Sequence, residues 1–168
     1  MKKKSGYQDE IIRQRKLLFK KYEHQLDDNP YGECHLKNET IAQIVKDKLH
    51  EYDNQLYRLI AYCIMPNHVH VLFATSIQLE NETEFLPDGT PKNYIQLDKI
   101  MKLIKGGSSV AANRVLGRKG TFWQKDSYDH FVRNEKEYNN IVFYILNNPV
   151  KARLVNDRAD WPNTYVSL

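Results

Sequence analysis

Tyr57-Arg58-Leu59-Ile60-Ala61-Tyr62-Cys63-Ile64-Met65-Pro66-Asn67-His68-Val69-His70-Val71-Leu72-Phe73-Ala74 is the stretch that decides the reading of this chain. Its hydrophobic period is two, so Tyr57 to Met65 and His68 to Ala74 read as strands, joined at a bend over Pro66-Asn67. Strand side chains alternate between faces, which puts His68 and His70 on one face and Val69 on the other, toward a core. Two imidazoles on one face offer two neutral nitrogen ligands to a single divalent metal. A bare His-x-His carries little weight, because alternating polar residues on a half-exposed strand produce the same pattern. Its neighbours in the sequence give it meaning.

Upstream, Tyr7 to about Leu26 has apolar residues at helical spacing, and Asp27-Asp28-Asn29-Pro30-Tyr31-Gly32 is a cluster of turn formers that ends that helix. A second helix is predicted from about Asn38, its N-cap, to Tyr52, with Ile41, Ile44, Val45 and Leu49 in one stripe. Downstream, Gln78 to Asn93 is an acidic, breaker-rich surface loop, read as an extension of the hairpin and a poor DNA contact. A third helix begins near Leu97; Gly106-Gly107 is expected to kink or interrupt it, with Ser108 capping a continuation. Phe122-Trp123-Gln124 and Tyr128 to Val132 read as short extended segments. A last helix, capped by Asn134 with Glu137 three residues on, is expected to stop at Asn147-Asn148-Pro149, since proline disfavours helix in the residue before it.

The 168 residues fit one domain spanning 1–168, and a hydrophobic fraction of 41% suffices for a real core. The longest apolar runs, Leu59 to Pro66 and Ile141 to Leu146, are too short to cross a bilayer, so no membrane partner is expected. No apolar signal-peptide core follows Met1-Lys2-Lys3-Lys4, and a cytoplasmic protein is expected, nucleoid-associated when bound to DNA. Cys34 and Cys63 are far apart and form no Cys-x-x-Cys, so they read as reduced thiols. The net charge of +4 is mild, but its placement is not. From Lys99 to Lys125 there is no Asp or Glu, while Lys99, Lys102, Lys105, Arg114, Arg118, Lys119 and Lys125 all fall there. Such a one-sign segment suits a polyanion, each cation able to neutralise a phosphate; a solvated helix face followed by a basic loop would look the same.

In the last helix, Tyr138, Ile141, Val142 and Ile145 form the apolar side. Tyr144 lies off the centre of that stripe, and Asn148, four residues on, shares its face one turn away. A hydroxyl beside an amide oxygen can complete a site whose other half is a His-x-His strand, the amide giving a third ligand and leaving positions open for a phosphate.

These segments, in this order, resemble a family. Leu59 to Phe73 is similar to the His-hydrophobe-His core of the single-tyrosine HUH transposases, in the branch of the REP-associated tyrosine transposases. Ile104-Lys105-Gly106-Gly107-Ser108 with Asn113-Arg114, Gly120-Thr121-Phe122-Trp123-Gln124, Tyr128-Asp129-His130 and Val132-Arg133-Asn134-Glu135 resemble the segments between. Tyr144 to Val155 resembles the tyrosine helix and its exit. The resemblance runs over roughly residues 30 to 165.

It implies an α+β fold, ferredoxin-like, with an antiparallel sheet and helices packed on one face; the histidines would lie on a central strand with the tyrosine helix laid across them. Relatives usually open with an apolar strand, and nothing before Tyr7 reads as one, so the sheet is expected to lack that edge strand, leaving a neighbour open to pairing or to a homodimer. His68 and His70 match the metal-binding histidines, Asn148 a position that helps hold the metal, and Tyr144 the nucleophile; the metal is Mg²⁺ or Mn²⁺. The implied activity is that of a metal-dependent single-stranded DNA endonuclease and strand transferase, a transposase acting on hairpin-containing DNA through a 5′-phosphotyrosine. Single-stranded or hairpin DNA is the implied partner. Lys102, Lys105, Arg118, Lys119 and Arg133 are candidates for phosphate contacts, and Trp123, with Phe122, for stacking on unpaired bases, although core packing is the commoner role of a tryptophan. Two other classes fit parts of the pattern. One is a non-catalytic or domesticated nucleic-acid-binding protein on the same fold. The other is a metal-dependent phosphodiesterase that uses a metal-bound water, with Tyr144 a bystander.

Overall fold

A computed structural model describes residues 10, 13, 14, 17, 21, 33–80, 84–89, 91–125 and 127–167. The chain divides into two compact units, one of residues 1–33 with 128–130, the other of 34–127 with 131–168. In the first, Glu10, Arg13, Gln14, Leu17 and Lys21 are helical and exposed, in keeping with the helix read there. The other residues of that helix, and the expectation about the stretch before Tyr7, lie outside the described residues.

The second unit holds the fold. A 3₁₀ turn, His35–Lys37, leads into helix α1, Glu39–Glu51. Asn38 caps α1 as read, its side-chain oxygen accepting from the backbone of Thr40 and Ile41. Strands β1, Arg58–Ile64, and β2, Val69–Ala74, form the antiparallel hairpin read from the sequence. After a single helical turn, Ile77–Glu80, the acidic loop carries an isolated Phe85–Pro91 bridge. Helix α2 is Leu97–Val115, helix α3 is Glu135–Lys151, and a second 3₁₀ turn, Arg158–Asp160, precedes β3, Thr164–Val166. Among the described residues no helix is long and apolar enough to cross a membrane.

The class is α+β with a three-stranded antiparallel sheet in the order β2-β1-β3. β1 is therefore central, and β2, the histidine strand, is an edge among the described residues rather than the central strand implied by the resemblance. Strand β3 was not anticipated. It is three residues long and exists because β1 offers it a partner, pairing Ala61 with Val166, Tyr62 with Tyr165 and Cys63 with Thr164.

Alternation in β1 divides the core in two, so the helices flank both faces of the sheet. Leu59, Tyr62 and Ile64 pack with Ile41, Val45 and Leu49 of α1 and Ile100 and Ile104 of α2, and Val69, Val71 and Phe73 of β2 lie against this layer. Ala61, Cys63 and Met65 pack with Leu72 and with Ile145 of α3.

Three local expectations give way to tertiary packing. Helix α2 runs unbroken through Gly106-Gly107. At Gly107 a Cβ would lie 2.6 Å from Lys48 Cε of α1, so the glycine admits a side chain from the facing helix instead of breaking its own. Ser108, fully buried, caps nothing; its hydroxyl donates to the Ile104 carbonyl at 2.6 Å. Helix α3 continues through Pro149 to Lys151, because Asn148 and Pro149 are both fully buried and their packing outweighs the local preference. Residues 122–124 and 128–132 are irregular, with no strand partner among the described residues.

Candidate active site

The opposed pairs of the hairpin share a face. His70 stands opposite Cys63, whose side chain belongs to the α3 layer, and Val69 stands opposite Ile64, whose side chain belongs to the other. The imidazoles of His68 and His70 therefore face α3. On α3, Tyr144 and Asn148 are one turn apart on the edge that meets them.

The four side chains meet at one point. His68 Nε2 lies 3.0 Å from His70 Nε2. The Asn148 amide nitrogen lies 2.9 Å from His70 Nε2 and 2.9 Å from the Tyr144 hydroxyl oxygen. That hydroxyl is 3.4 Å from His70 Nε2. Behind them, Asn67 Oδ1 is 2.7 Å from His68 Nδ1, fixing the ring so that Nε2 points into the cluster. Burial, with the charges of His68 and Lys151 adding to it, pushes the His70 pKa down to about 3, so its imidazole is neutral and its lone pair available. Sequence reasoning thus named four side chains, from segments 74 to 80 residues apart, that the fold brings together.

The donor set fits a small divalent ion. Ligands at about 2.1 Å from Mg²⁺, set at right angles, stand about 3 Å apart, and the two imidazole nitrogens are separated by 3.0 Å. Asn148 is completely buried, yet its Oδ1 has no hydrogen-bond partner among the described residues. A buried orphan acceptor is costly. Turning the amide by half a turn exchanges its two ends and brings the oxygen to the imidazoles as a third ligand. Among the described residues no three His, Cys, Asp or Glu side chains cluster as a metal site, so an ion held by these two imidazoles would need an amide or a ligand oxygen as well.

The basic candidates sit elsewhere. Lys102 and Lys105 are on α2, in the layer across the sheet. Lys102 pairs with Asp98 at 3.3 Å, and Lys105 donates to the Gln124 carbonyl at 3.1 Å. Trp123 is half-buried against the core, its indole N–H donating to Ser108 Oγ at 2.8 Å, which is the packing role. Arg118 lies in the turn Gly117-Arg118-Lys119-Gly120, whose two glycines have φ of 62° and 102°. Its guanidinium donates to His35 Nε2 at 2.6 Å, and the His35 ring stacks on Phe122 at 5.8 Å. His35 opens the 3₁₀ turn whose Leu36 N–H donates to the Pro66 carbonyl, so this basic turn reaches the end of the hairpin next to His68. Lys119 is exposed beside it. Arg133 precedes α3, 3.7 Å from Glu137. Asn134 caps α3 as read.

Lys151 was not singled out from the sequence. Its ammonium stands over the Tyr144 ring, 5.4 Å from the centroid. The signal was present: 144, 148 and 151 are spaced i, i+4, i+7 on one face of a helix.

No protein-family model matches the chain. Among curated proteins, it is 27% identical over 106 residues to a REP-associated tyrosine transposase of Escherichia coli K12, covering 63% of this chain and 52% of that one. It is 29% identical over 106 residues to a Haemophilus influenzae protein provisionally named a REP-associated tyrosine transposase, covering 63% and 57%. The chain is related to the REP-associated tyrosine transposases. It spans a little over half the length of these curated relatives. Among solved structures, a REP-associated tyrosine transposase bound to a REP hairpin superposes with a TM-score of 0.57 at 22% identity, over 82% of this chain and 70% of that one. At that identity the likeness is one of fold, and it agrees with the α+β sheet described above.

Proposed function

We propose that this chain is a metal-dependent single-stranded DNA endonuclease and strand transferase, a transposase, that acts at hairpin-containing DNA through a 5′-phosphotyrosine on Tyr144. The observation that carries the reading is the placement of the Tyr144 hydroxyl 2.9 Å from the Asn148 amide and 3.4 Å from His70 Nε2. A nucleophile and a three-donor cradle for Mg²⁺ or Mn²⁺ then flank one point. The names of the relatives, and the REP hairpin to which the structural neighbour is bound, support DNA as the substrate.

The chain's own residues divide the work. His68, His70 and Asn148 hold the divalent ion, with Asn67 orienting His68. When bound, that ion polarises the scissile phosphate and offsets charge on its non-bridging oxygens. Tyr144, weakly nucleophilic as a protonated phenol, is held by the rigid helix that also carries Asn148. Its oxygen bonds to phosphorus as the bond from phosphorus to the 3′-oxygen breaks. The phenolic proton is lost and the 3′-oxygen gains one, so the step is balanced and its energy is kept in the phosphotyrosine. A 3′-hydroxyl can reverse it without ATP, which is strand transfer.

The test is a denaturing gel of protein incubated with end-labelled DNA stem-loops bearing single-stranded flanks and Mn²⁺. A covalent protein–DNA band is expected, lost in Tyr144→Phe and with a chelator. Cleavage with no covalent band would assign the work to a metal-bound water. Tight binding of stem-loops with neither cleavage nor band, across sequences that bind, would leave a DNA-binding module and overturn the proposal.

A further inference from the structure

Among the described residues, the side chains that meet at the site include no carboxylate. His68, His70, Asn148 and Tyr144 supply nitrogen, amide and phenol, and the ammonium placed against them is that of Lys151. A cradle of this kind leaves a bound dication's charge unspent, so an anion has to come from the ligand. Lys151 is exposed on the last turn of α3, and its stem runs back along the helix toward the Tyr144 ring. An ammonium over that ring, on a flexible stem, is within reach of a phosphate presented to the same tyrosine.

We propose that Lys151 is a further catalytic residue, holding a non-bridging oxygen of the phosphate presented to Tyr144. The inference rests on the reading of Tyr144 as nucleophile. As the tyrosine oxygen bonds to phosphorus and the 3′-oxygen departs, negative charge on the non-bridging oxygens is met on one side by the metal cradle and on the other by this ammonium. Lysine suits the role as a compact point charge on a flexible stem. Its face on α3 continues the stripe of Tyr144 and Asn148, so one helix places nucleophile, ligand and counter-charge together.

Lys151→Met keeps the stem and removes the charge, and Lys151→Arg keeps the charge. Both are surface changes, and melting temperatures close to wild type verify that each folds. Two readouts are taken with the stem-loop probe in Mn²⁺: the slope of log affinity against log salt, and the single-turnover rate of covalent band formation at saturating DNA. The Met variant is expected to lose about 0.7 of the slope, the value for one phosphate contact on a single strand. Its rate is expected to fall by about 100-fold or more, as when one donor to a developing oxyanion is removed, with Arg restoring the wild-type slope and bringing the rate to within about tenfold of wild type. An unchanged slope in Lys151→Met overturns the proposal whatever the rate does. A reduced slope with an unchanged rate overturns the catalytic role and leaves a peripheral phosphate contact. If wild type binds the probe but forms no covalent band, the nucleophile reading has failed instead, and the slope alone decides whether Lys151 holds a phosphate.

Discussion

Replacing Asn148 by aspartate pulls stability in opposite directions with and without metal. Asn148 has no exposed surface and donates to His70 Nε2 and to the Tyr144 hydroxyl, both at 2.9 Å. A carboxylate there loses both donations and is itself a buried charge, which costs several kcal/mol when unpaired. With a cost of about 3 kcal/mol and about 2–4 °C per kcal/mol for a chain of this size, Asn148→Asp should melt about 6–12 °C below wild type in chelator. If the cradle holds Mn²⁺ as proposed, the ion at a hundred times its Kd should contribute about 2.7 kcal/mol to wild type, or about 5–11 °C. In the aspartate variant the same ion also neutralises the misplaced charge, so its Mn²⁺ shift should exceed that of wild type. Asn148→Leu, similar in volume but without a ligand oxygen, should lose most of the shift. Calorimetric melts of the three proteins in chelator and in Mn²⁺ measure all of this. Retention of the full Mn²⁺ shift by the leucine variant, or an aspartate variant that gains no more than wild type, would refute Asn148 as a ligand.

Two further outcomes follow from the other layer of the fold. Ser108→Ala removes the acceptor of the half-buried Trp123 indole N–H and should cost about 1–2 kcal/mol; a melting temperature lower by about 2–8 °C, with a red-shifted tryptophan emission, checks it. Burial, reinforced by Tyr165 and Asp47, pushes the Tyr62 hydroxyl up to about 12, against about 10 in the unfolded chain. A pKa raised in the folded state gives stability that is complete below pH 10 and lost between 10 and 12. The urea midpoint should fall across that window in wild type, and fall less in Tyr62→Phe.

What the sequence told in advance follows the range of the forces involved. Asn38 and Asn134 were legible as caps because an N-cap bonds within three residues of itself. The hairpin was legible because the period of two is written in contiguous residues. Tyr144 and Asn148 were legible as neighbours because one helical turn fixes their spacing. The misses depend on partners far away in the chain. Strand β3 answers to β1, about a hundred residues earlier. Gly107 is smooth helix because Lys48 of α1 passes it, and Pro149 stays in α3 because the surroundings bury it. Lys151 shows its spacing plainly, but whether such a side chain turns back to Tyr144 or out to water is a rotamer choice that the spacing does not contain.

The register of β1 against β2 ties these layers to the chemistry. The pairing shifts between Leu59 and Ala61, a bulge that takes Ile60 out of alternation. Without it, Leu59 and Ala61 would share a face; with it, Leu59 joins the α1 layer while Ala61 and Cys63 join the α3 layer. The same shift pairs Leu72 with Ala61 and His70 with Cys63, so the histidines take the α3 side along the rest of the hairpin. A slip of one residue would exchange the faces of β2, burying both imidazoles against α1 and turning Val69 and Val71 toward Tyr144. That slip would strand two polar rings in the apolar α1 layer and take Val69, Val71 and Phe73 out of it, so core packing favours the observed register. The hydrophobic alternation that first drew attention to His68 and His70 is therefore also the force that delivers them to the tyrosine helix.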